Sequence, residues 1–547
     1  MKNFYWLNNE SRLFLSRGYL EEGVTPEQRI RNIADNAERI SGIQGFSDKF
    51  YNYMAKGWIS LASPIWSNYG MARGLPISCF GSYVPDDTAQ ILSTASEAGM
   101  MSKTGGGTSA YFGALRPRGS AISAGGKSNG AISFMEIFET ITNTISQNGI
   151  RRGNMAIYMP VEHGDIDEFL AVRGEGHPIQ NLSIGVTVGD EFMQGMIDGD
   201  EEKQRVWAKV LKKRSESGYP YIMFKDTANN NGPQVYKDKN KSIEASNLCS
   251  EIMLSSDEIE SFVCCLSSVN LYHYEDWKDS DLVDTMCIFL DTVLTEFIDK
   301  ASTIPHLERA VTFARNQRAI GIGVLGLHSY LQKKNIAMEG LEVKMELNKI
   351  FKNISDLAKE SSKRLAELWG EPPLLKGYGE RFVTTMAIAP TTSSSFILGQ
   401  ISPSIEPLNS NYFLKDVAKV KTAFKNPELK RLLEAKGEDN LETWRSILTR
   451  GGSVQHLDFL SEHEKNVFKT FQEINQKELV INVSIMQKYV DQGISFNTTI
   501  DGEESVKNIN KLMIEAWQLG VKAFYYQNGV NLAQQVSRGF ACGSCEA

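Results

Sequence analysis

From about residue 60 to residue 530 the sequence alternates short β-rich runs with long amphipathic helical stretches, and this alternation restricts the fold more than any other feature. "NLSIGVTV" and "FVTTMAIA" are brief and rich in β-branched residues, as strands require. "MELNKIFKNISDLAKESSKRLAELWG" instead repeats its apolar residues at helical spacing. Alternation of this kind argues for an α/β architecture with one large core. With 547 residues the chain can form several average domains or one big barrel, and length alone does not choose between them. No repeat of fixed period is present.

Ahead of this region, "TPEQRIRNIADNAERI" carries a helix start signal. Thr25 is placed as N-cap, Pro26 at the first helical position, and Gln28 completes a capping box. Ile30, Ile33, Ala37 and Ile40 then recur on one face. The expected organisation is a helical N-terminal region over 1–60, an α/β core over 61–530, and a C-terminal tail over 531–547. The tail, within "NGVNLAQQVSRGFACGSCEA", is polar and weakly periodic and reads as mobile.

Charge narrows the partners. A net charge of -8 argues against a broad basic face for nucleic acid polymers or anionic membranes, so any phosphate site must be local. The N-terminus lacks an apolar signal core, and no apolar run approaches the roughly 20 residues needed to cross a bilayer. The chain reads as cytoplasmic. Seven cysteines (79, 249, 264, 265, 287, 542 and 545) are too few and too odd in number for a disulfide scaffold. No histidine joins them at zinc-finger spacing, so no metal is expected in this chain.

Several short stretches carry candidate chemistry. "SNLCSEIML" spaces Asn247, Cys249 and Glu251 by two, which on an extended segment turns an amide, a thiol and a carboxylate to one side. The plain reading of Cys249 is a small buried hydrophobe; a buried Glu251 beside it needs partners or work to do. "SFVCCLSSVNL" reads as a strand on which Cys264 and Cys265 face opposite ways, and "LPISCFGSYVPDD" places Cys79 on another. The terminal "CGSC" pairs Cys542 and Cys545 at a spacing that favours disulfide exchange over a two-ligand zinc site.

"SQNGIRRGN" puts Arg151 and Arg152 on a flexible loop, and "APTTSSSF" gathers hydroxyls and backbone N–H groups suited to an anion. Either also fits a surface turn. Tyr525 and Tyr526 in "AFYYQN" are by composition core or interface aromatics. "RAIGIGVLGL" holds a formal G-x-G-x-x-G at Gly321, Gly323 and Gly326, but the charged helical run before it is wrong for a dinucleotide site. A glycine-rich packing turn is expected there.

Taken together, "SPIWSN", "ISCFGS", "SQNGIRRGN", "SNLCSEI", "CCLSSVNL", "RNQRAIGIGVLGL", "APTTSSS", "GSVQHLDFLSEHEKNVFKTF", "YYQN" and the terminal cysteine pair resemble, in order and over nearly the whole chain, the large catalytic subunit of class I ribonucleotide reductase. The resemblance implies a ten-stranded α/β barrel with Cys249 on a finger loop at its centre. It implies reduction of ribonucleoside diphosphates by a thiyl radical on Cys249, with Glu251 taking the 3'-hydroxyl proton and Asn247 orienting the substrate. Cys79 and Cys264 match the family's reducing pair, re-reduced by Cys542 and Cys545 and then by a thioredoxin or glutaredoxin. Tyr525 and Tyr526 match the adjacent tyrosines that relay the radical from a separate ferritin-like subunit.

The same resemblance assigns substrate contacts to Ser63, Ser78, Arg151, Thr391, Thr392, Ser393 and Ser394. Asp86 and Arg116 match the site for a deoxynucleoside triphosphate or ATP specificity effector, which in the family lies at a homodimer interface. A second phosphate-binding arginine is replaced near Ser123, with Lys127 as candidate substitute. The catalytic region begins almost at once, without the ATP-cone of many relatives, so dATP inhibition through that module is not expected. This form looks like the minimal class Id type, whose partner carries manganese, so the resemblance implies a dimetal radical cofactor in the partner, with manganese the candidate metal. The rivals are an adenosylcobalamin-dependent reductase, a catalytically silent nucleotide-binding paralogue and a plain thiol oxidoreductase.

Overall fold

Apolar runs that are continuous rather than alternating become strands covered on both faces. "SIGVTV", "YIMF" and "IGIGVL" are buried at every position. The computed structural model describes residues 4–123, 125–147, 153–417, 420–500 and 504–529. Its strands are β1 (Ile59–Leu61), β2 (Cys79–Tyr83), β3 (Gly107–Tyr111), β4 (Met155–Pro160), β5 (Ser183–Val188), β6 (Tyr221–Phe224), β7 (Phe262–Asn270), β8 (Ile320–Leu325), β9 (Tyr412–Val417), β10 (Val420–Lys425), β11 (Thr498–Ile500), β12 (Ala523–Phe524) and β13 (Gln527–Gly529).

One sheet curls into a barrel. β2 to β6 lie side by side and parallel. β7 and β8 are parallel to each other, and β7 meets β2 antiparallel. At the other edge β12 pairs antiparallel with β6. Two irregular segments close the gap: residues 384–388 bond to β8, and residues 493–496 bond in turn to Ile388 and Tyr525. The ring therefore has ten members: β2, β3, β4, β5, β6, β12, 493–496, 384–388, β8 and β7. β1 lies against the far half of β7.

Two expectations about these strands need correction. "FVTTMAIA" joins the ring through isolated bridges and not as a regular strand. The reason is local: the Asp491 carboxylate accepts the N–H groups of Thr385 (2.7 Å) and Met386 (2.9 Å), displacing ladder bonds. Of the three glycines expected in a packing turn, Gly321 and Gly323 lie in the interior of β8, and only Gly326 stands beyond it, at φ 79°. A Cβ on Gly321 would lie 2.3 Å from Leu266 Cδ2 and 2.8 Å from Ala387 Cβ, so glycine is required for packing between neighbours.

Three helices precede β1: α1 (Asn9–Leu15), α2 (Pro26–Ser41) and α3 (Phe46–Ala55). The Thr25–Gln28 capping box opens α2, as its sequence predicts. Arg29 leaves α2 fully buried and donates to the carbonyls of Ile65, Trp66 and Tyr69, which end the helix Ser63–Asn68. A guanidinium thus stands in for the missing intrahelical donors and seats the N-terminal helices on the barrel. Residues 241–257 have no regular structure and run through the barrel interior to β7.

Candidate active site

Asn247, Cys249 and Glu251 are brought together, but by a tight turn and not by the extended alternation their spacing suggests. Ser250 adopts φ 68°, reversing the chain. The Asn247 Oδ1 accepts both the Glu251 N–H (3.0 Å) and the Ile252 N–H (3.1 Å). Such an asparagine side chain mimics a backbone acceptor and fixes the turn.

The turn is the tip of a finger clamped from two sides. The Tyr158 phenol on β4 donates to the Asn247 carbonyl at 2.7 Å. Opposite, the Gly493 N–H donates to the Glu251 carbonyl (2.8 Å), and the Met253 N–H to Gln492 Oε1 (3.2 Å). Glycine is needed at 493 because a Cβ there would approach the Glu251 and Ser250 carbonyls to 3.0 and 3.2 Å. Gly185 on β5 similarly makes room for the Tyr158 ring, 2.4 Å from where its Cβ would stand.

Asn247 and Glu251 are buried, whereas Cys249 is partly buried. Burial pushes the Glu251 carboxyl up to about 7, against backbone and Asn247 hydrogen bonds that pull it down. Its Oε2 has no hydrogen-bond partner among the described residues. A carboxyl poised near neutrality with a vacant oxygen can accept or return a proton.

Cys79 and Cys264 are directly opposed in the antiparallel β2–β7 pair. Opposed residues in such a pair share a face with Cβ atoms about 5 Å apart, near the range a disulfide spans. The two sulfurs are not joined in a disulfide here. Gln492 Nε2 donates to Cys264 Sγ at 3.3 Å, and burial pushes the Cys264 thiol well up. Cys265, on the other face of β7, and Cys287, in the helix Leu282–Ala301, are buried with thiols also pushed up.

The Tyr525 hydroxyl lies 3.9 Å from Cys249 Sγ. Tyr526 packs on Tyr525 with ring centroids 4.2 Å apart. Tyr219 and Tyr221, absent from the sequence-derived site, complete the cluster: Tyr221 lies 4.8 Å from Tyr525 and 5.1 Å from Tyr526, centroid to centroid. Their closeness in "GYPYIMF" was the available signal, two tyrosines flanking a proline at the start of a strand. Arg214, wholly buried, donates to the carbonyls of Pro220 and Tyr525 and locks the two segments together.

The substrate candidates converge only in part. Ser63 accepts from Tyr19 (3.3 Å), and Ser394 donates to the carbonyl of Leu61, two residues before Ser63 (3.4 Å). Thr391, at φ 53°, starts the short helix Thr392–Ile397, which also carries Ser393, and accepts from the Ser404 N–H. Ser78 borders β2, its carbonyl bonded to Gly107 beside the finger's Leu248. Asp86 and Arg116 form an ion pair of 2.6 Å outside the barrel, both partly exposed. Arg151, Cys542 and Cys545 lie outside the described residues. Among the described residues no cluster of three or more His, Cys, Asp or Glu side chains suits a metal ion, and no helix is long and apolar enough to cross a membrane.

A ten-membered α/β barrel with a thiol-bearing finger at its centre defines a small class of enzymes, and similarity to known proteins agrees with it. The family model described as "Ribonucleotide reductase, barrel domain" matches residues 77–204, 197–377 and 373–527. The chain superimposes on an Actinobacillus ureae class Id ribonucleotide reductase alpha subunit with a TM-score of 0.93 and 51% identity, covering 97% of this chain and 98% of that one. It is 33% identical to the ribonucleoside-diphosphate reductase large subunit of Invertebrate iridescent virus 3, over 92% of this chain and 91% of that protein. The putative large subunit of Frog virus 3 is 34% identical over 90% of this chain and 89% of its own length. The chain belongs to the ribonucleotide reductase family, as a catalytic large subunit.

Proposed function

We propose that this chain reduces ribonucleoside diphosphates to deoxyribonucleoside diphosphates, with Cys249 as the transient thiyl radical. The observation that carries this reading is the position of Cys249 on the finger, 3.9 Å from the Tyr525 hydroxyl and two residues from a buried carboxyl near neutrality. In outline, the Tyr525 phenoxyl takes the hydrogen atom of the Cys249 thiol, and the resulting thiyl takes the 3'-hydrogen of the substrate. Glu251 accepts the 3'-hydroxyl proton, and Asn247 holds the turn that sets both groups. The 2'-hydroxyl leaves as water with one proton from the thiol pair, C2' gains a hydrogen from the same pair, and Cys79 and Cys264, having lost two protons and two electrons, become a disulfide. The hydrogen that Cys249 took from C3' returns there, which regenerates the thiyl, and the thiyl then takes the Tyr525 O–H hydrogen and restores the phenoxyl.

Ser63, Ser78, Arg151 and the Thr391, Thr392, Ser393 and Ser394 group are the proposed substrate contacts. Cys542 and Cys545 re-reduce the Cys79–Cys264 disulfide and are themselves reduced by a thioredoxin or glutaredoxin. Asp86 and Arg116 are the proposed effector contacts of an effector-induced homodimer. Tyr526 and Tyr525 receive the radical from a separate ferritin-like subunit carrying a dimetal cofactor, manganese in the class Id form.

The test is to combine the chain with such a metal-loaded partner, a dithiol reductant and each diphosphate, and to measure deoxynucleotide. Product that depends on the partner supports the reading. Product formed with adenosylcobalamin and no partner overturns the proposed radical source.

A further inference from the structure

Behind the Tyr525–Tyr526 pair lies a phenol that the relay does not use. Tyr219 is 3% exposed and is separated from β6 by Pro220 alone. Its hydroxyl oxygen stands 3.1 Å from that of Tyr526, and the two rings meet edge to face with centroids 5.2 Å apart. Tyr221 fills the space between, 5.3 Å from Tyr219 and in contact with both relay rings. The second partner of the Tyr219 hydroxyl is Ser183, at 3.4 Å.

Packing alone does not account for this arrangement. An edge-to-face ring contact is equally available to phenylalanine, whereas a buried hydroxyl is tolerated because it is hydrogen-bonded. Here the hydrogen bond joins two groups of the same chemistry, so a hydrogen atom can pass between them with no base involved.

We infer that Tyr219 is a third redox-active tyrosine, a side branch on which the radical of Tyr526 can rest. The inference builds on the radical relay proposed above. In the step, the O–H bond of Tyr219 breaks and that of Tyr526 forms. Tyr219 is oxidised by one electron and the Tyr526 phenoxyl is reduced; electron and proton both cross the 3.1 Å contact. The oxidant is the radical delivered by the partner subunit.

The surroundings bias the branch. The Arg173 guanidinium carbon sits 4.6 Å from the centroid of the Tyr219 ring. A cation on an aromatic face is stabilised by the ring's electron density, so it opposes removal of an electron from that ring. The radical therefore visits Tyr219 and returns to Tyr526, which lies next to Tyr525 and the thiol.

The experiment replaces Tyr219 with 3-aminotyrosine, a more easily oxidised analogue, in the full chain. The variant is mixed with the radical-loaded partner, a ribonucleoside diphosphate and an effector, and read by electron paramagnetic resonance. The expected result is an aminotyrosyl signal at 219 that is lost when Tyr526→Phe is added. A signal at 526 but none at 219, or a signal at 219 that persists in Tyr526→Phe, overturns the branch. Absence of signal from 3-aminotyrosine at 525, 526 and 219 alike overturns the relay itself. A second chain carries 3-aminotyrosine at 526, whose radical is expected to show an exchangeable-deuteron coupling that Tyr219→Phe abolishes; an unchanged coupling contradicts the proposal.

Discussion

Cys79 and Cys264 occupy one antiparallel register position across β2 and β7, with Gln492 bonded to the Cys264 sulfur. Two thiols so placed need only a small approach to become a disulfide. With Cys542 and Cys545 both replaced by serine and no external reductant, one turnover should leave a Cys79–Cys264 disulfide, detectable by peptide mass mapping. Cys264→Ser should lose multiple turnover; sustained turnover with a dithiol donor would exclude this pair as the reductant.

Glu251 links activity to stability. Its folded pKa is raised from an ordinary glutamate's to about 7, so the folded state holds the proton more tightly than the unfolded chain. The contribution to stability is therefore present at low pH and is lost as pH rises from about 4.5 to 7, a loss of about 3 kcal/mol. Glu251→Gln, which cannot ionise, should melt higher than the parent above pH 7, with the difference shrinking toward pH 5. The same variant should lose roughly 10²–10⁴-fold in turnover. Equal melting curves at pH 8 would show that the carboxyl is not held near neutrality.

Much of the local structure was legible, because its causes lie within a few residues. The Thr25–Gln28 box, the strand carrying Cys264 and Cys265 and the strand carrying Cys79 follow from adjacent chemistry. The finger turn was not, although its three residues were identified. Its conformation depends on Tyr158 and Gly493, remote in sequence, and on Asn247 acting as a backbone acceptor. The glycines of β8 were misread for the same reason: the need for them comes from Leu266 and Ala387, which no local pattern reveals. The roles of Cys249, Tyr525 and Tyr526 came from resemblance; spacing supplied only that three groups might share a side.

Gly185→Ala should tilt Tyr158 away from the finger, since the new methyl would lie 2.4 Å from its ring. Overpacking of this kind typically costs about 1–3 kcal/mol. Lower melting temperature and reduced turnover are expected together. Tyr158→Phe, which deletes the bonds to the Asn247 carbonyl and to Ser250 Oγ while keeping the ring, should cost about 1 kcal/mol. Unaltered kinetics in both variants would mean that the finger does not need its β4 clamp.

The Asp86–Arg116 pair joins the loop after β2 to the loop after β3, and a triphosphate there would compete for the guanidinium. Arg116→Ala should weaken effector binding by roughly tenfold or more, the scale of one charge-assisted hydrogen bond. Equilibrium binding of a labelled deoxynucleoside triphosphate reads this directly. Affinity equal to the parent's would place the effector elsewhere.

The central claim is that Cys249 carries the radical to the substrate. Its most direct measurement is deoxynucleotide formation by Cys249→Ser, assembled with the metal-loaded partner, a dithiol, effector and a ribonucleoside diphosphate. Serine keeps the size and hydrogen bonding of the site, but its stronger O–H bond resists hydrogen abstraction. No deoxynucleotide above background, with effector binding and melting temperature retained, is the predicted result; turnover at the parent rate would contradict it.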